Sequence, residues 1–427
     1  MTRRRRRGEE RAEIVVLCPH FEPDNAPTGT VMTRIVRELA ALGHTVHVVT
    51  ALPWYRDHRI GDGWEGKLVR REATEWGSIT RVHPFPGGDK TDLFRRALGF
   101  VASSALMGLM GLRAGRGWFR RTDVVLAMSP PLTLGMTGWL VARLRRARMV
   151  FNIQDVFPDA AVETGAISNR HVIRVASWLE RLSYRSADAV TVLSDDLADN
   201  VRGKLPDRLA DTVHVIPNFV DTDVIVPGER LTALRTELGI DDEPVVLYAG
   251  NLGFSQSFDL LFHAARRRPD VTFLIVGAGS ARAALEDRVA DLPNVRIRGY
   301  VEAGRLPELL ATGDIHVVPL KTGLGRVSVP SKTYSIMAAG RPVLAAIDPG
   351  TAVPTMLADS GGGIAVEPDE PDAFLDGLDR LLAADELGRT LGDGGRRWVV
   401  EHAAPAAVGA RYSELIGSLG GSSAGVD

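Results

Sequence analysis

The sequence predicts an α/β protein of two doubly wound, parallel-sheet domains. Three observations carry that expectation. The chain has 427 residues, more than one hydrophobic core ordinarily serves. Short β-branched runs alternate with longer helical stretches from end to end. The alternation is interrupted near Ile216-Pro217-Asn218, where Pro217 breaks regular structure and a polar, charged segment runs on to Pro244.

In the first half, strands are expected at Ile14–Leu17, Thr45–Thr50, Ile79–Pro84, Val124–Met128, Met149–Ile153, Ala189–Leu193 and Val213–Ile216. In the second half they are expected at Val245–Ala249, Thr272–Val276, Val295–Ile297, Ile315–Pro319, Val343–Ala346 and Gly363–Val366. Helices such as Val31–Leu42, Val172–Ser186, Ala281–Val289 and Lys332–Ala339 lie between them. A β-α alternation repeated twice implies parallel strands joined by crossover helices. A last helix is expected around Trp398 to Leu419, followed by a Gly/Ser-rich tail.

Hydrophobic residues make up 45% and charged residues 24%, an ordinary soluble globular balance. The one cysteine, Cys18, excludes an internal disulfide framework and reads as a small buried hydrophobe. Met1 to Arg11 carries six arginines without the apolar stretch of a signal peptide, so it reads as a solvated tail. Residues 1–215 hold 32 Lys+Arg against 24 Asp+Glu, a balance of +8; residues 216–427 hold 19 against 29, a balance of -10. The basic half is expected to meet something anionic.

Ala97–Leu112 is apolar for sixteen residues, too short to span a bilayer core that takes roughly twenty. Arg95 and Arg96 precede it, and Arg113, Arg116 and Arg120 follow it. An interfacial helix flanked by cations is one reading and a buried core helix the other. The first would place the protein on an anionic membrane surface.

Open α/β sheets bind ligands beyond the carboxyl ends of their strands. After the first strand, Gly29 and Thr30 stand at a helix start, where free N–H groups favour an anion. In the second half, Ile315–Pro319 leads into a loop holding Arg326, Pro330, Ser331 and Lys332, and a helix follows. Cations, glycines and a helix start coincide there, as a diphosphate cradle requires. A nicotinamide enzyme would need G-x-G-x-x-G in the first βα turn, and that loop lacks it. The ten histidines show no metal-ligand spacing, and neither metal nor cofactor is expected.

The run Ser331-Lys332-Thr333-Tyr334-Ser335-Ile336-Met337-Ala338-Ala339-Gly340-Arg341-Pro342-Val343 resembles the donor-site signature of retaining glycosyltransferase family four, also called group one. Val215–Asp221, Leu247–Asn251, Val276–Gly279 and Asn294–Val301 agree with it in order and spacing. Gln154-Asp155-Val156-Phe157-Pro158-Asp159 resembles the branch of N-acetyl-fucosamine, colanic-acid and O-antigen type transferases.

The resemblance implies the GT-B fold, two Rossmann-like domains facing across a cleft. Residues 12–216 would bind the acceptor and 217–395 the nucleotide-sugar, with a helix at 396–419 returning to the first domain. The implied reaction is metal-independent transfer, with retention, from a nucleotide-sugar (a UDP-sugar favoured) that is a substrate and not a cofactor. The acceptor would be a saccharide or a polyprenyl-diphosphate-linked sugar in surface polysaccharide biosynthesis. The place of work would be the cytoplasmic face of the plasma membrane, with no nucleic-acid partner.

Lys332, Arg326 and Asp155 are the expected catalytic residues. Gly29, Thr30, Asn251, Gln256, Gly277, Gly299, Tyr300, Ser331 and Ser335 are the expected donor contacts. The sequence departs from the family pattern where two glutamates usually stand, at Val327 and Ser335, and where an Arg and a Lys usually stand, at Asn251 and Gln256. Lys332 and Arg326 are therefore expected to take over the diphosphate. A nucleotide-sugar 2-epimerase and a non-catalytic sugar-nucleotide-binding protein are the alternative readings.

Overall fold

The computed structural model describes residues 11–24, 26–55, 59–85, 93–115, 117–159, 169–326 and 329–420. Two compact units emerge: Met1–Pro217 with Pro405–Asp427, and Asn218–Ala404.

The first unit is built on an eight-stranded sheet of β1 (Glu13–Leu17), β2 (Thr45–Ala51), β3 (Val69–Thr74), β4 (Gly77–Val82), β5 (Val124–Ser129), β6 (Arg148–Ile153), β7 (Ala189–Val192) and β8 (Val213–Val215). Their spatial order is β3-β4-β2-β1-β5-β6-β7-β8. Seven strands run parallel, and β3 lies antiparallel on β4 at the edge. β3 was not expected: Val69-Arg70-Arg71-Glu72-Ala73-Thr74 is half charged and lacks an apolar run, which an edge strand does not need. The strand expected at Ile79–Pro84 begins two residues earlier, at Gly77.

The second unit carries β9 (Val245–Ala249), β10 (Thr272–Val276), β11 (Val295–Arg298), β12 (Ile315–Pro319), β13 (Val343–Ala346) and β14 (Gly363–Val366), all parallel, in the order β11-β10-β9-β12-β13-β14. Successive side chains of β9 enter different cores. Val246 and Tyr248 join Phe258, Phe262 and Phe374, whereas Val245 and Leu247 join Leu234 and Leu309. Both faces are thereby covered, which is why these strands are continuous apolar runs.

The C-terminal segment is two helices and not one. Asp385–His402 stays with the second unit, where Arg396 donates to the carbonyls of Thr222, Ile225 and Ala338 at 2.7–2.9 Å. Pro405–Gly420 belongs to the first unit. There Tyr412 Oη accepts from Asn152 Nδ2 at 2.7 Å, and His44 Nε2 lies 2.8 Å from Ser413 Oγ. Pro405 separates them, because proline has no N–H to continue a helix and disfavours helical geometry in the residue before it. The expected boundary at 395/396 therefore moves to 404/405.

The helix Leu93–Arg113 is neither wholly buried nor wholly exposed. Met107, Met110 and Ser104 are buried, while Leu98, Val101 and Leu109 are exposed. Its carboxyl end is held by Arg145, a fully buried arginine whose Nη1 donates to the carbonyls of Gly111, Leu112 and Ala114 at 2.9–3.2 Å. Among the described helices, none is long and apolar enough to cross a membrane.

Candidate active site

Strand order locates the crevice in each unit. In the second sheet the order reverses between β9 and β12, and in the first between β1 and β5. Loops leave such a pair in opposite directions and open a space beyond their carboxyl ends.

At the second switch point, the loop after β9 begins with Gly250, and the helix Lys332–Ala338 follows β12. The Lys332 ammonium lies over the ring of Tyr248, 3.8 Å from its centroid. A Cβ on Gly250 would come within 2.9 Å of Lys332 Nζ, so glycine leaves the room that the ammonium fills. Tyr248 is held in place by its hydroxyl, which donates to the Asn251 carbonyl at 2.7 Å. No carboxylate pairs with Lys332 among the described residues. Burial without a counter-charge disfavours the ammonium and lowers its pKa from 10.5 to about 7.

The glycines beside it are set by backbone packing. A Cβ on Gly277 would fall 1.8 Å from the Gly250 carbonyl oxygen, and one on Gly279 would fall 2.3 Å from that of Leu252. The loops after β9 and β10 close on each other through Gly250 N to Val276 O and Leu252 N to Ala278 O, each 2.9 Å. Gly277 thus has a structural reason independent of any donor. Asn251 is exposed beside these glycines. Gln256 turns inward, its Oε1 accepting from Gly253 N at 3.0 Å and its Nε2 donating to Ser255 Oγ at 2.9 Å. It fixes its own loop.

Arg326 is exposed, with no carboxylate partner among the described residues, on a loop that Asp348 pins through the N–H groups of Gly323 and Gly325 at 2.8 and 2.9 Å. Ser331 stands at the helix start with helical backbone angles, φ -58° and ψ -23°, and its side chain makes no capping bond. Ser335 is half-buried, and Gly299 and Tyr300 are exposed beyond β11. Val327 lies outside the described residues. The buried Thr333 hydroxyl has no hydrogen-bond partner among the described residues.

At the first switch point, the β1 loop is organised by a pair that sequence reading missed. His20 Nδ1 lies 2.7 Å from Asp24 Oδ2, and Asp24 Oδ1 accepts from Tyr55 N at 3.1 Å. The imidazole stacks on Trp54 and meets Tyr55 edge-on. The i, i+4 spacing of His20 and Asp24 was the available signal, but in a Pro-rich loop that spacing fixes no distance. Thr30 loses its expected role as a free anion donor here, and Gly29 has a packing reason to be glycine. A Cβ on Gly29 would strike His20 at 2.9 Å, and Thr30 N already donates to Ala26 O at 3.0 Å.

Asp155 follows β6 and is exposed, yet surrounding protein desolvates its carboxyl enough to raise its pKa. Behind it, Gln154 Nε2 donates to Asn152 Oδ1 at 2.8 Å, and Asn152 Nδ2 donates to Thr191 Oγ1 at 3.0 Å. Asp159 is structural, accepting from Lys204 Nζ at 2.7 Å and from Asn200 at 3.1 Å. Cys18 is fully buried and its thiol is pushed up to about 12 by desolvation, consistent with an inert core position. Among the described residues, no three His, Cys, Asp or Glu side chains gather as metal ligands would.

Of the expected membrane arginines, Arg116 and the side chains of Arg95 and Arg96 lie outside the described residues. Arg113 stacks over Trp118 at 5.6 Å, and Arg120 is exposed. Three neighbouring helices carry exposed apolar side chains: Leu98, Val101 and Leu109 on Leu93–Arg113; Leu140 and Leu144 on Thr133–Arg145; and Val175 and Trp178 on Arg170–Ser186. A groove of about 490 Å³ runs between them, lined by Val101, Leu109, Met136, Leu140 and Leu179 among others.

The comparisons agree with this architecture. Residues 28–218 match the Glycosyl transferase 4-like domain, and residues 243–384 match Glycosyl transferases group 1. The chain is 30% identical over 385 residues to the putative colanic acid biosynthesis glycosyl transferase WcaI of Escherichia coli K12, covering 87% of this chain and 92% of that one. Among solved structures, the sucrose-phosphate synthase of Thermosynechococcus elongatus superposes with a TM-score of 0.74 at 19% identity, covering 97% of this chain and all of that one. Anabaena HepE in complex with UDP-glucose superposes with a TM-score of 0.68 at 16% identity, covering 95% and 100%. The fold is GT-B, two Rossmann-like parallel-sheet domains with a C-terminal helix. The chain belongs to the group 1 glycosyltransferases, within the branch of colanic-acid and O-antigen type enzymes.

The strain on Lys332 has a stability consequence. Its folded pKa near 7 lies below the unfolded 10.5, so the penalty is fully present below pH 7 and fades as pH rises toward 10.5. Lys332→Met should raise the melting temperature of the ligand-free protein, by more at pH 6 than at pH 10. Thermal unfolding at the two pH values checks this; an equal change at both would show that the lysine is not strained.

Proposed function

We propose that this glycosyltransferase moves a sugar, with retention, from a nucleotide-sugar to a saccharide or polyprenyl-diphosphate-linked acceptor in surface polysaccharide synthesis. The observation that carries the reading is the desolvated, unpaired ammonium of Lys332 at the β9/β12 switch point. A fixed cation is what a departing diphosphate needs, and in a water-poor site its effect on developing charge is large. Arg326, on the same strand-to-helix connection, adds a second, solvent-exposed cation for the phosphates. The charge is supplied by side chains, so no metal is invoked. In this scheme the bond from the anomeric carbon to the diphosphate breaks as the acceptor oxygen bonds on the same face, and the leaving phosphate oxygen takes the acceptor proton. Asn251, Ser331, Ser335, Gly299 and Tyr300 are the donor-side contacts. A UDP-sugar is favoured because HepE, a structural neighbour, binds UDP-glucose.

On the acceptor side, Asp155 and the His20–Asp24 pair orient the incoming hydroxyl. Tyr55 N holds the pair by donating to Asp24 Oδ1, and Asp155 carries a carboxyl whose raised pKa suits it to hydrogen-bond exchange. The exposed apolar helices of the first unit, with Arg113, Arg120, Arg174 and Arg181 at their margins, would rest on an anionic bilayer at the cytoplasmic face, where a lipid-linked acceptor is found.

Transfer assays test the reading directly. A screen of nucleotide-sugars by thermal shift selects the donor, and Lys332→Ala should then slow transfer at least ~10-fold. Binding of a diphosphate should raise the pKa of Lys332 above 7, so donor affinity should be level below pH 7 and weaken above it by up to ~10-fold per unit. Wild-type turnover in a folded Lys332→Ala protein would remove the lysine from the site. Product formed from the sugar-nucleotide alone would instead indicate an epimerase.

Asp155→Asn should lower the transfer rate more than donor binding; equal losses in both would assign it to donor positioning. Trp178→Glu combined with Arg181→Glu should abolish sedimentation with phosphatidylglycerol vesicles while leaving transfer to a soluble acceptor intact. Unchanged sedimentation would take this helix face off the membrane.

A further inference from the structure

At the opposite edge of the first sheet, where the strands begin, lies a basic pocket of about 660 Å³. Its walls are the starts of β1, β5, β6 and β7, the carboxyl end of Thr133–Arg145, and the end of Pro405–Gly420. Arg11, Arg121, Arg143, Arg146 and Arg148 line it, with Asp123 and Asp188 as the only acids among its lining residues. Arg148 is spent on Asp188 at 2.8 Å, and Met149 N donates to the same carboxylate. Asp123 accepts from the backbone of Glu13 at 2.7 Å. Four guanidinium groups remain, none with an acidic partner among the described residues, against the one carboxylate of Asp123. The residual charge is +3.

The backbone supports this concentration of charge at a conformational cost. Arg146 sits at φ 56° and ψ 39°, the left-handed position that ends a helix and that glycine or asparagine ordinarily takes. The last carbonyls of these helices have partners other than these four guanidinium groups. Leu93–Arg113 is capped by Arg145 from the same turn, and the backbone N–H of Arg146 already serves the carbonyls of Ala142 and Arg143. Strands of five or six residues separate this pocket from the strand ends that carry Asp155 and His20. At ~3.3 Å per residue, that is roughly 17–20 Å. It is not part of the donor or acceptor sites.

We infer that this pocket is a second anion site, taking at least two phosphate groups presented close together. Its volume exceeds one phosphate, and planar guanidinium groups suit phosphate oxygens in bidentate pairs. The phosphates could belong to a soluble polyphosphate or to the headgroups of an anionic lipid surface, because Trp139 and Leu140 place the same helix at the apolar groove.

The experiment is titration of the full chain with inorganic tripolyphosphate, comparing wild type with Arg143→Gln/Arg146→Gly. Glycine relieves the left-handed residue, so the variant should melt no lower than wild type and keep its donor thermal shift. Tripolyphosphate should bind wild type and bind the variant at least ~10-fold more weakly. Displacement of tripolyphosphate by phosphatidylglycerol vesicles, but not by phosphatidylcholine vesicles, assigns the phosphates to lipid. No displacement by either assigns them to a soluble ligand. Equal affinity in the two proteins, or no binding to wild type at low salt, overturns the site.

Discussion

The charge of Lys332 is the constraint around which the second unit's site is arranged. A half-buried lysine whose ammonium is desolvated over an aromatic ring, with no carboxylate partner among the described residues, costs the folded chain stability. Neighbouring structure holds it there. Gly250 vacates the space, Tyr248 is anchored to the Asn251 carbonyl, and the short helix Lys332–Ala338 is locked by Tyr334, Ile336 and Met337 in the core. Sites that must stabilise a charge formed only during reaction are often built this way, with the counter-charge left for the substrate to supply.

The departures from the usual family pattern take on physical meaning in this setting. With Asn251 and Gln256 at the positions of the customary cations, the loop after β9 has no charge to offer, and Gln256 is occupied in holding Gly253. The proposed diphosphate cations therefore lie on the connection after β12, while Arg282, after β10, is turned onto the Gly277 carbonyl at 3.3 Å and Glu286 at 2.8 Å. The site is thus asymmetric, with one fixed, desolvated cation at Lys332 and one solvated cation at Arg326.

The fold was largely legible in the sequence because parallel strands covered on both faces are written as unbroken apolar runs, as in Val245–Ala249 and Ile315–Pro319. β3 was not legible, since an edge strand with three charged residues in six resembles a surface loop. The single C-terminal helix was misread because helical periodicity continues on both sides of Pro405. Local motifs led to Lys332, whose spacing from a strand end is a chain property. Its neighbour Gly250 and the His20–Asp24 pair were not reachable that way. The first is a meeting of residues far apart in the chain, and the second depends on how the β1 loop folds over the helix start at Gly29. Gly29 and Thr30 show the converse: a glycine at a helix start suggested ligand approach, but its lack of a side chain serves His20.

The most direct test is to titrate the Lys332 ammonium by NMR, using carbon-13-labelled lysine, assigned with Lys332→Met, in the free protein and with saturating UDP. The account predicts titration near pH 7 in the free protein and a clear upward shift when the diphosphate is bound. An ordinary lysine pKa in the free protein, or a low value that UDP does not move, would contradict it.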